Sequence, residues 1–124
     1  MLTDMGRGLS PLQKKILLMA YQNRTIKERK QGVDLRYPDV LREWWGWEPV
    51  LWPRWEKGER CDAISRHFSK RQIGEREYRS AEASLSRAVG RLAERGLVYR
   101  ARLFGHGVVD LTEEGTEVAA RLAE

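Results

Sequence analysis

Three stretches of this 124-residue chain predict a mainly α fold with a small β-hairpin, an α+β class. Ser10-Pro11-Leu12-Gln13 has the form of a helix start. Ala81, Leu85, Ala88, Val89 and Leu92 form one apolar stripe at helical spacing. Residues 97–111 alternate on either side of Phe104-Gly105-His106-Gly107, as two strands joined by a glycine-rich turn do.

Each element has a local reason. Ser10 can cap, Pro11 suits the first helical position, and Gln13 can reach back to close a capping box. Leu12, Ile16, Leu17 and Ala20 then share a face opposite Lys14 and Lys15, so a first helix is expected over Pro11–Asn23. Lys27–Gly32 is polar and basic and reads as a turn or frayed end. Val33–Tyr37 alternates like a short strand, and Pro38 opens a second helix through Val40, Leu41, Trp44 and Trp45 that Gly46 ends. Pro49 and Pro53 forbid one continuous helix across the tryptophans that follow. Asp62–Phe68 is expected as a short helix with Ala63, Ile64 and Phe68 inward. Ser80 is expected to cap the long helix, and Gly96, after Glu94-Arg95, to close it in the left-handed conformation. Thr112 caps a last helix that turns Val118, Ala119 and Leu122 inward and places Glu113 and Glu114 at its positive end.

The length suits a single domain, residues 1–124, with a Trp-rich insertion at about 44–60. No apolar run approaches a membrane span, and no apolar segment near the N-terminus has the form of a signal peptide, so a soluble chain is expected. Cys61 is the one cysteine, which rules out a disulfide framework within the chain and suits a reducing cytoplasm. The net charge of +5 fits a polyanionic partner. It is unevenly spread, with eight Lys/Arg against three Asp/Glu over residues 1–36 and seven against four over residues 68–95. A merely Arg-rich solvated surface is the plainer explanation.

Catalytic patterns are missing. Cys61 and His67 make one pair with no second pair, so no zinc site is expected. Asp62, His67 and Ser65 have nothing to organise them, and no glycine-rich phosphate loop occurs. Neither enzymatic activity nor a cofactor is expected.

Residues Ser84-Leu85-Ser86-Arg87-Ala88-Val89-Gly90-Arg91-Leu92-Ala93-Glu94-Arg95-Gly96-Leu97-Val98, followed by Leu111-Thr112-Glu113-Glu114-Gly115, resemble winged helix-turn-helix regulators of the MarR and PadR type. The match runs from Ser80 to about Leu122. It implies a recognition helix over residues 80–95, a wing over 97–111, double-stranded DNA as partner, a homodimer paired through the C-terminal helix and the Trp segment, and a role in transcription regulation. The chain departs from the resemblance in the middle. About thirty residues separate the Pro38–Trp47 helix from Ser80, so either the Trp-rich insertion splits the helix-turn-helix or Asp62–Phe68 is its first helix.

A recognition helix buries one face and offers short or basic side chains to the major groove. With Leu85 at the centre of the buried face, Arg79, Ser80, Ala83, Ser86, Arg87 and Gly90 fall on or near the opposite side. Arg87 suits a guanine edge or a phosphate, Ser84 and Ser86 suit phosphates or bases, and Arg91 suits the backbone. Gly90, costly inside a helix, implies close approach either of a partner or of an internal helix packed there. Arg100 and Arg102 share one strand face of the wing, with His106 at its tip. Lys14, Lys15, Lys70 and Arg71 are secondary candidates for phosphate contact. An ordinary solvated face accounts for the same residues without DNA.

Trp44, Trp45, Trp47, Trp52 and Trp55 fit a local mini-core fastening the insertion, an interface, an aromatic pocket for a flat ligand, or stacking on unpaired bases. Two alternatives to a regulator follow: an interaction module docking a protein partner through these tryptophans, or a replication or mobile-element protein using the same fold on DNA.

Overall fold

The computed structural model describes residues 8–25, 32–64, 68–103 and 105–124, and of residues 52–54, 56 and 60–64 the backbone alone. The described residues form a mixed α/β fold: α1 (Pro11–Thr25), β1 (Leu35–Arg36), α2 (Tyr37–Trp44), β2 (Leu51–Glu56), β3 (Glu59–Ile64), α3 (Lys70–Ile73), α4 (Glu75–Glu94), β4 (Val98–Leu103), β5 (His106–Leu111) and α5 (Glu113–Leu122). None of these helices is long and apolar enough to cross a membrane.

Local chemistry sets the helix ends. The Ser10 N–H donates to Gln13 Oε1 at 2.8 Å and the Gln13 N–H to Ser10 Oγ at 3.1 Å, the reciprocal capping box expected of that run. Gly96, at φ 74, ends α4: its N–H donates to the Ala93 carbonyl, and the Leu97 N–H to the Leu92 carbonyl. Thr112 Oγ1 caps α5 by accepting from the Gly115 N–H at 3.0 Å.

Helix α1 packs along α5 and against α4 and β5, and its buried Ile16, Leu17 and Ala20 meet Leu85, Val89, Leu92, Val109 and Val118 in one core. The antiparallel sheet has the order β1-β5-β4, with Leu35 opposite Val109 and Arg100 also opposite Val109 from the other side. A polar latch joins α1 to this sheet. The buried Asp34 carboxylate accepts from the Leu111 N–H at 2.8 Å, while Arg24 donates to the Leu111 carbonyl at 2.9 Å.

Two expectations are overturned. Asp62–Ile64 belongs to strand β3, not to a helix, and residues 65–67 of that expected helix lie outside the described residues. Lys57 and Gly58 both take positive φ, 52° and 79°, which is the two-residue turn that matches strand twist and pairs β2 with β3. Ser80 is no cap: α4 begins at Glu75, after Gly74, and the preceding α3 is capped by Ser69 accepting from the Gln72 N–H. Glu75 and Glu77 suit the positive end of α4, so the helix gains a turn before Ser80.

Candidate functional site

The apolar stripe of α4 enters the core, which turns the opposite face outward. Arg76, Arg79, Ala83 and Arg87 follow one another there at three- and four-residue steps, all exposed, with Ser80 and Arg91 beside them. Small residues between arginines keep the crest low. Arg79 pairs with Glu75 at 2.7 Å, but both are well exposed, so the pair holds the arginine only weakly. Arg87 donates to Ser84 Oγ at 3.4 Å. Arg76 escaped the sequence reading because that reading began the helix at Ser80.

The β4–β5 hairpin stands beside this helix. Arg100 Nη2 donates to Ser86 Oγ at 3.2 Å, and its Nη1 lies over Gly90, where a Cβ would come within 2.8 Å of it. What approaches Gly90 is this side chain of the hairpin, not a helix packed against it. Arg102 donates to the Gly105 carbonyl at 3.1 Å. His106 begins β5 and is not at the tip of the turn, and Phe104 lies outside the described residues.

Between α4, the hairpin and the first turn of α2 lies a cleft of about 660 Å³. Tyr37 enters it from α2, and a Cβ on Gly107 would run into the Tyr37 ring. Burial raises the Tyr37 pKa above the ordinary phenol value, while Arg100, by charge and hydrogen bonding, and Arg102, by charge, pull against that rise. The phenol is therefore protonated at neutral pH. Tyr78 on the opposite wall is raised as well, by burial and by the Glu82 carboxylate. Tyr37 has no sequence signal, because its partners lie some sixty to seventy positions away.

The tryptophans divide. Trp47 stacks on Tyr78 with centroids 5.1 Å apart, meets Phe68 edge-on at 5.6 Å, and contacts Trp45 at 6.3 Å. These four rings fasten the segment after α2 to the start of α4, the mini-core among the readings considered. Trp44 is 42% and Trp55 72% exposed, and the side chain of Trp52 lies outside the described residues. Lys70 stands 5.2 Å from the Tyr78 ring centroid, Lys15 is paired with Glu43, and Lys14 and Arg71 are exposed. No group of His, Cys, Asp or Glu among the described residues could hold a metal ion. Compared with models of protein families, with curated proteins and with solved structures, the chain matches none.

Proposed function

We propose that this chain is a winged-helix protein that binds double-stranded DNA as a transcriptional regulator, with α4 in the major groove and the β4–β5 hairpin as the wing. The element order α1, β1, α2, α4, β4, β5 and the sheet order β1-β5-β4 support the fold. On this reading, β2, β3 and α3 are an insertion between the two helices of the helix-turn-helix. The observation that carries the function is the Arg100–Ser86 bond. It ties the hairpin to the exposed side of α4, so that Arg76, Arg79 and Arg87 of the helix and Arg100 and Arg102 of the hairpin serve one surface. A reducing cytoplasm suits the single cysteine.

The test has two stages. Anisotropy titration of a labelled random duplex measures phosphate contact, and binding is expected to weaken steeply as salt rises. Selection from a duplex library then supplies a specific site, on which Arg87→Ala is expected to weaken binding by about 1–3 kcal/mol. Unchanged binding by that variant would mean that α4 reads DNA through another face.

Trp55 and the exposed Leu51 and Val50 favour a second role for the β2–β3 hairpin, as the contact that pairs two copies of the chain. Helix α5 is a poorer candidate for that contact, because its Val118 and Ala119 are already buried in the core.

A further inference from the structure

A helix in the major groove and a hairpin in the neighbouring minor groove have one sugar–phosphate strand between them. The space between α4 and the β4–β5 hairpin is the 660 Å³ cleft, and Arg100 crosses it. A guanidinium has five N–H donors in a fixed plane, a geometry that suits two oxygens of a phosphate. Such a fork is useful only if it is held in place. Ser86 Oγ accepts one of its N–H groups, Tyr37 lines the same cleft beside it, and Gly90 leaves the room in which Nη1 lies. Tyr37 is itself fixed by Gly107, whose lack of a side chain lets the ring lie against β5. Glu82 lines the cleft one helical turn from Ser86, so its carboxylate disfavours an anion at that end and leaves the end where Ser86 meets Arg100 as the seat.

We infer that this cleft seats a backbone phosphate of the DNA, gripped by Arg100, with Tyr37, Ser86 and Gly90 as the residues that position the guanidinium. The inference rests on the DNA-binding reading. It adds Tyr37 and Gly90 to the site, neither of which carries a charge.

The test is anisotropy titration of a labelled random duplex over a range of salt concentrations, with the full-length protein and its Arg100→Ala, Gly90→Ala and Tyr37→Phe variants. Arg100→Ala is expected to bind about tenfold more weakly, as the loss of one charge-assisted contact implies. Its salt slope should be shallower by about 0.9, the contribution of one phosphate. Gly90→Ala and Tyr37→Phe keep every charge and should still weaken binding about threefold, the size of one hydrogen bond. In the Arg100→Ala background the same two substitutions should add nothing. Melting curves accompany each variant. Gly90→Ala is expected to fold, because only the far end of a flexible arginine must move and alanine favours the helix. If the wild type binds but Gly90→Ala and Tyr37→Phe match it, or if they weaken binding equally without Arg100, the phosphate seat is overturned while the DNA reading stands. No binding by the wild type even at low salt would overturn both.

Discussion

Gly115 shows how much one missing side chain decides. It sits in the first turn of α5 with its N–H on the Thr112 cap, and a Cβ there would overlap the Leu97 carbonyl. That carbonyl also accepts the Thr112 N–H at 3.1 Å, so it belongs to backbone that cannot turn away. Gly115→Ala should therefore destabilise the chain by at least about 2 kcal/mol through overpacking. Thermal unfolding would show this as a melting temperature lower by roughly 5–10 °C. An unchanged melting temperature would mean that α5 can slide away from Leu97 at little cost. Gly90 differs because its neighbour is the end of the Arg100 side chain, so the same substitution should be nearly silent in stability and felt in binding.

At the scale of elements, what was legible in the sequence was local. Ser10 with Gln13, Gly96, and Thr112 with Gly115 act within a few positions of themselves, and the structure shows each doing what its residue type implies. The Lys57-Gly58 turn was equally local, but Ala63, Ile64 and Phe68 happen to fit a helical period, and a window that short cannot separate the two periods. The crest of α4 was readable because its exposure follows from the buried stripe. The seat of Arg100 was not, because it depends on how the hairpin registers against the helix.

The aromatic cluster is also an element-scale device, and it too was beyond local pattern: Trp47 meets Phe68 and Tyr78 across the whole β2–β3 hairpin. Trp47→Ala should cost about 2–3 kcal/mol, below the usual range for a buried Trp because this one is only half-buried. The loss should show as a lower denaturant midpoint, with far-UV helicity of α1 and α5 retained below the transition. An unaltered midpoint would mean that the start of α4 does not depend on these rings.

At the scale of the whole molecule, the question is how a chain this small would select one DNA site. A single helix covers few base pairs, and two-fold pairing of such proteins doubles the reading frame by placing half-sites about one helical turn apart. Pairing needs apolar surface that the monomer has not already used. Helix α5 offers less of it, because its Val118 and Ala119 are buried in the core. The β2–β3 hairpin offers more: a two-stranded sheet is marginal alone in water, and this one leaves Trp55 72% and Leu51 55% exposed. Trp55→Ser should leave the melting behaviour of the monomer within about 0.5 kcal/mol of wild type, since an exposed side chain supports little of the core. The same variant should shift sedimentation at micromolar concentration from dimer to monomer, and should shorten the selected DNA site from a palindrome to one half. A wild type that sediments as a monomer on its own and on DNA would remove the hairpin from the pairing role. A variant that stays dimeric would place the contact on a different face.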